Sequence, residues 1–302
     1  MGAGWSRSDP YMSTYARNDA DLLTSLNHLA QKFPDRVNKK RPIYFYISSY
    51  GSIDVTEGML AMLDAGWNVK GALGDGPIGN YSSWVHVFME NLWKYGDISW
   101  PRYQFFKWMG AAIGVLHKWK IIGNMGMGWL LQVFPILSLD MKLLASPNDV
   151  RPEHPYRHIK LIKKVKLLTG TENFRKALNG RGKFKLVNFK CMTQVYFNGP
   201  MKPEINWNAL LERGVKITLI DGKYDYPFGG TIMHWLTRLP WSKANGFDKV
   251  EFEKSKYGRS VSMKNLFYEE VEGSGHTTAV DKPEVIAVRM KEMIDGGILG
   301  GN

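Results

Sequence analysis

The sequence predicts an α/β fold, a mostly parallel sheet flanked by helices and interrupted by a helical, basic insertion. Two observations carry this. Apolar runs at both ends of the chain switch between strand spacing and helix spacing, whereas residues 81–190 lack that alternation and are rich in Trp, Phe, Met and Lys. Charge divides the same way. Residues 101–190 hold 17 Lys and Arg against 4 Asp and Glu, and the rest of the 302 residues hold 23 against 24. The formal charge of +12 therefore belongs to one segment. That distribution speaks for a basic insert on a neutral scaffold and against a nucleic-acid-binding fold. Three regions follow: 1–80 as the first part of the core, 81–190 as a helical cap, and 191–302 as the second part of the core.

The elements read in order. Leu22, Leu23, Leu26, Leu29 and Ala30 recur at helical spacing before Pro34,. Residues 42–48, PIYFYIS, form a continuous β-branched and aromatic run, as a strand buried on both faces should,. A helical pattern through Ile53, Met59, Leu60 and Leu63 ends at Gly66. A short strand from Val69 to Leu73 is closed by Gly74, Asp75 and Gly76, completing one βαβ unit,. The middle offers helical stretches around 83–93, 103–119 and 156–168. Regular alternation returns with a strand at 215–220, a helix from Gly230 to Leu239, a strand at 266–271 and a last helix from Pro283 to the Gly296–Gly297 stop,.

The chemistry lies at the strand ends. Ser49 follows the first strand directly, with Tyr50 next and Gly51 after it. A strand that ends in x-Ser-x-Gly and turns into a helix resembles a nucleophile elbow, which lifts the serine oxygen above the sheet. The usual first glycine is Ile47 here, and Ser48 lacks a glycine two positions on. The plain reading is a strand ending in two serines. Order and context favour the elbow. Asp225 follows the 215–220 strand and His276 follows the 266–271 strand, in the chain order Ser, Asp, His of α/β-hydrolases,. His276 would take the Ser49 proton, Asp225 would orient the imidazole, and the Tyr50 N–H would serve as an oxyanion donor. The expectation is that the three converge.

Several stretches, in this order, resemble the serine carboxypeptidases. GAGWS at 2–6 is similar to P-x-G-T-G-F-S, and FYISSYGS at 45–52 to the strand ending in G-E-S-Y-G-G. KGALGDG at 70–76 resembles K-G-x-x-I-G-N-G, and MKP at 201–203 resembles W-M-K-P. IDGKYD at 220–225 is similar to Y-x-G-D-K-D, LPW at 239–241 to L-x-W, and GSGH at 273–276 with DKPE at 281–284 to G-A-G-H-M-V-P-x-D-x-P-E. The resemblance implies an α/β-hydrolase and a serine-type carboxypeptidase acting on a peptide substrate through Ser49, Asp225, His276 and Tyr50, without metal or cofactor. It further implies a secreted, vacuolar or lysosomal setting, although the first residues do not read as a secretory signal,.

The departures define the alternatives. Ser48 replaces the family's substrate-gripping glutamate, and Ser52 replaces the second elbow glycine. One cysteine, Cys191, excludes an intrachain disulfide,. The family's N-G-G-P-G-C-S-S stretch, which supplies a second oxyanion N–H, does not occur in the sequence. The expectation is a fragment or a degenerate relative, feebly active by itself. An esterase or acyltransferase on the same triad, and a weak binding scaffold, are the competing readings.

Other features have plainer readings. His154 and His158 are spaced H-x₃-H, but Pro155 and the absence of a completing motif make them structural,. Lys160, Lys163, Lys164 and Lys166 alternate with apolar residues as one basic helical face. That face is solvated, or else it meets an anionic membrane surface or an acidic partner. Oligomerisation stays open. The charge-free stretch 121–140 reads as a cap face or a lipid contact before it reads as a span,.

Overall fold

The run at 42–48 forms strand β1 (Ile43–Ser48). In this computed structural model it stands at one edge of a sheet that has six strands among the described residues, in the spatial order β1-β2-β3-β6-β5-β4. The remaining strands are β2 (Val69–Asp75), β3 (Lys216–Gly222), β4 (Glu253–Lys254), β5 (Gly258–Met263) and β6 (Leu266–Val271). The pairs β1–β2, β2–β3 and β3–β6 are parallel, while β5 runs antiparallel to β6 and to β4. The structure describes residues 15–49, 51–79, 81–94, 96, 98–118, 164, 167–177, 204–225 and 229–296. Residues 1–14, Tyr50, the 121–140 stretch, His154, His158, Lys160, Lys163, Lys166 and the MKP at 201–203 lie outside that description.

The α-helices with both ends among the described residues are α1 (Tyr15–Lys32), α2 (Gly51–Asp64), α3 (Tyr81–Lys94), α4 (Trp100–Lys118), α5 (Glu172–Ala177), α6 (Glu204–Glu212), α7 (Thr231–Leu236), α8 (Pro240–Asn245), α9 (Thr278–Asp281) and α10 (Pro283–Asp295). The residues from 81 to 203 fall within the crossover from β2 to β3, two hydrogen-bonded neighbours. An insertion there leaves the order of the core strands intact.

Period-two alternation sends neighbouring strand residues to opposite faces. Ile47, Ala72, Ile217 and Leu219 face a core that includes Met59, Met62, Trp207, Leu210 and Trp235. Leu73 and Ile220 face the other way, against Val285 and Met293 of α10. Each such fully buried large side chain contributes roughly 1.5–3 kcal/mol of transfer free energy. From α1, Leu22, Leu23, Leu26 and Ala30 pack on the first core as their spacing predicts, whereas Leu29 is exposed. The helix expected from Gly230 to Leu239 is shorter, α7 over Thr231–Leu236, and Pro240 opens a further short helix, α8, that the spacing does not predict. No helix among the described residues is long and apolar enough to cross a membrane.

Candidate active site

Ser49, Asp225 and His276 all follow parallel strands at their C-terminal ends, where α/β sheets place their sites. Ser49 has φ 50°, a left-handed conformation rare for any residue but glycine,. Such a backbone costs of order 1–3 kcal/mol and persists only when its surroundings hold it. Here the Ser49 N–H donates to the Asp75 carbonyl at 2.9 Å, and the Ser49 carbonyl accepts from the Ser52 N–H at 3.0 Å and the Ser52 hydroxyl at 2.7 Å.

Ser52 is fully buried, and its Oγ also accepts from the Ile78 N–H at 2.8 Å. Its hydroxyl thus ties the turn after β1 to the segment after β2. The residue that departs from the family's glycine fastens the elbow from inside. Gly51 behaves differently from the usual elbow glycine. A Cβ placed there would sit 3.7 Å from Ile47, an ordinary contact, so close helix–strand approach does not demand glycine at that position.

Asp225 and His276 sit on adjoining turns. The Tyr224 N–H donates to the Ser274 carbonyl at 2.8 Å, which joins the turn after β3 to the turn after β6. His276 Nδ1 lies 2.8 Å from Asp225 Oδ2, and its Nε2 lies 2.7 Å from Ser49 Oγ. A carboxylate only accepts, so Nδ1–H donates to Asp225 and the Nε2 lone pair faces the Ser49 hydroxyl. Both Asp225 and His276 are buried. Burial lowers the proton affinity of His276, but the Asp225 charge and hydrogen bond, with a contribution from Asp75, hold its pKa above the ordinary value.

The two aspartates of the 221–225 turn divide their work. Asp221 Oδ2 accepts from the Gly230 N–H at 3.0 Å and the Tyr268 hydroxyl at 3.3 Å. Burial, and then the Asp225 charge, push its carboxyl well above the usual carboxylate range. Asp225 reaches the imidazole, as its place in the sequence suggests. Asp75 is not among the site residues that the motifs point to; its one signal in the sequence is a carboxylate closing a buried strand.

The junction of the two turns has no spare volume. A Cβ at Gly222 would fall 2.0 Å from the Gly275 carbonyl oxygen and 2.7 Å from that of Ser274. The Gly222→Ala variant is expected to push the His276 turn away from Asp225 and to lose about 1–3 kcal/mol of stability. A thermal melt read beside the rate of Ser49 labelling checks this; unchanged values for both would refute it.

Among the described residues, no cluster of His, Cys, Asp and Glu could hold a metal ion. A hollow of about 720 Å³ lined by Lys223, Tyr257, Arg259, Glu272 and Lys282 contains none of the three converging residues. Tyr50, expected as an oxyanion donor, lies outside the described residues.

Residues 149–296 match the serine carboxypeptidase family. A search of curated protein sequences finds no match. The structure superposes on Kex1(delta)p, a prohormone-processing carboxypeptidase of Saccharomyces cerevisiae, with a TM-score of 0.75 at 14% identity, over 95% of this chain and 68% of that one. An α/β hydrolase from a Medee basin deep-sea metagenome library gives 0.42 at 10% identity, over 89% and 70%. MenH from S. aureus gives 0.40 at 12% identity, over 98% and 81%. The fold is that of the α/β-hydrolases, and the resemblance to the serine carboxypeptidases read from the motifs holds.

Proposed function

From this kinship to a hydrolase family, we propose that the chain is a serine-type carboxypeptidase whose nucleophile is Ser49. The observation that carries the reading is the unbroken line of two short hydrogen bonds from Asp225 through His276 to Ser49. Ser49 Oγ attacks the carbonyl carbon of the terminal peptide bond while its proton passes to His276 Nε2. The tetrahedral oxyanion is met by the Tyr50 N–H. As that intermediate collapses, the C–N bond breaks and His276 returns the proton to the leaving amine. Water then repeats the sequence on the acyl-enzyme, with His276 again as base. Asp225 keeps Nδ1–H engaged and offsets the charge of the imidazolium. Residues 81–190 would form a cap over the site, and the substrate would be a peptide with a free C-terminus.

A fluorophosphonate probe tests the nucleophile, with Ser49→Ala as the blank. Labelling that persists in Ser49→Ala, or that is absent from the parent chain, would refute the assignment. Release of C-terminal residues from peptides, set against hydrolysis of simple esters, separates a carboxypeptidase from an esterase on the same triad.

The pH dependence has a definite sign. His276 must be neutral to accept the Ser49 proton, and its pKa is held above the ordinary value. Labelling should therefore climb as pH rises through a midpoint above the ordinary histidine value of about 6.5. Ser48 stands where the family's glutamate would be, so the carboxyl pair that favours acid pH is missing. An acid optimum would contradict this.

A further inference from the structure

Asp75 ends β2, and its carboxylate is fully buried. Oδ1 accepts from the Thr278 N–H at 3.1 Å. Oδ2 accepts from the Ala279 N–H at 3.1 Å and from the Tyr46 hydroxyl at 2.9 Å. Thr278 and Ala279 open α9, two residues beyond His276. These three partners are all donors, which suits the ionised carboxylate. Burial pushes the Asp75 pKa up, and the Ala279 N–H, the Tyr46 hydroxyl and Thr278 oppose that rise. Burial, followed by the Asp75 charge, also raises the Tyr46 pKa, which keeps the phenol a donor. Gly76, the residue after β2, packs so close to the imidazole that a Cβ there would lie 3.0 Å from both Nδ1 and Cε1 of His276.

We propose that Asp75 is a positioning residue for His276, pinning the backbone just beyond the imidazole to the end of β2 and setting a second negative charge beside the ring. The inference rests on the hydrolase reading of Ser49, His276 and Asp225. It assigns Asp75 no contact with substrate. The charged groups around the ring are then Asp225 from the turn after β3, with Asp221 behind it, and Asp75 from β2. Asp281 of α9 accepts the Gly275 N–H at 2.8 Å, and the Lys223–Glu272 ion pair lies at the outer rim of the same turns. Ser49 contributes no charge. Of these, Asp75 is the one whose carboxylate is bonded to the backbone that follows His276.

The test is an NMR titration of the His276 ring, assigned by its loss in His276→Asn, together with the pH dependence of fluorophosphonate labelling. Asp75→Asn removes the charge at constant volume and should lower the His276 midpoint by at least about half a pH unit. The acid limb of labelling should move with it. Tyr46→Phe keeps the carboxylate and both backbone bonds but removes the phenol donor, so the charge is less neutralised and the midpoint should rise. An unmoved midpoint in Asp75→Asn, or a fall in Tyr46→Phe, overturns the proposal. If Asp75→Asn does not fold, Tyr46→Phe decides by itself, a rise supporting the proposal and a fall or no change overturning it. Absence of Ser49-dependent labelling in the parent chain would sink the hydrolase reading, yet the titration would still read the effect of Asp75. Normal labelling with an unmoved titration would sink this proposal alone.

Discussion

Asp225→Asn is expected to slow Ser49-dependent chemistry by about 10³–10⁴-fold while the fold persists. The reason is the tautomer. Asp225 Oδ2 lies 2.8 Å from His276 Nδ1 and, as a carboxylate, can only accept. An asparagine there can turn its NH₂ toward Nδ1, which moves the ring proton to Nε2. Nε2 would then donate to Ser49 Oγ across the 2.7 Å contact and could not take its proton. The imidazolium formed during reaction would also lose the charge that balances it. The measurement is the second-order rate of fluorophosphonate labelling, with Ser49→Ala as blank and circular dichroism to confirm folding. A folded variant that labels within tenfold of the parent would show that Asp225 does not orient the base.

The parts of this site that were legible in the sequence are those that combine a buried strand with a polar residue at its end. The runs at 215–220 and 266–271 read as buried strands and are buried, whereas the run at 42–48, which reads the same way, forms β1 at the edge of the described sheet with Ile47 as its one buried residue; Ser49, Asp225 and His276 stand just beyond the three. What escaped is short or polar. Strands β4 and β5 have Val261 as their single buried position, the others being half-buried or exposed, so no apolar rhythm marks them. Helix α6 buries only Trp207, Leu210 and Leu211 in its nine residues. Helix α9 has four residues, too few for a period to show. Ser52 was misleading for another reason. A family glycine replaced by serine looks like a loss, whereas the buried hydroxyl bridges two loops. Asp75 does not stand out because two of its three partners are backbone N–H groups about 200 residues away. Spacing along the chain carries no trace of such bonds.

The last helix depends on a charge that the core cannot leave unpaired, and Arg289→Met is expected to destabilise the protein by about 3–5 kcal/mol. Glu269 lies on β6 with its side chain fully buried. Arg289 of α10 grips it with two bonds, Nε to Oε2 at 2.7 Å and a terminal nitrogen to Oε1 at 2.8 Å. Its other terminal nitrogen donates to Glu292 at 2.6 Å. The guanidinium also lies 4.8 Å from the ring centre of Phe267 and 5.5 Å from that of Tyr257. Burial works against its charge, yet the two glutamates raise its pKa above the ordinary arginine value. Methionine restores much of the packing but leaves Glu269 with the Ser255 hydroxyl, at 2.7 Å, as its remaining donor in this network. The cost is therefore mainly the stranded carboxylate. Removing both charges in Glu269→Leu with Arg289→Met should recover most of the loss, because well-packed apolar pairs replace buried ion pairs at little or no cost. Urea unfolding of the two variants decides the matter. A single variant within about 1 kcal/mol of the parent would show that Glu269 is not desolvated as the geometry implies. A double variant no better than the single would place the effect in packing of Arg289 against the two rings. Because β6 leads directly into the turn that carries His276, the single variant should also lose Ser49 labelling at temperatures where the parent still labels.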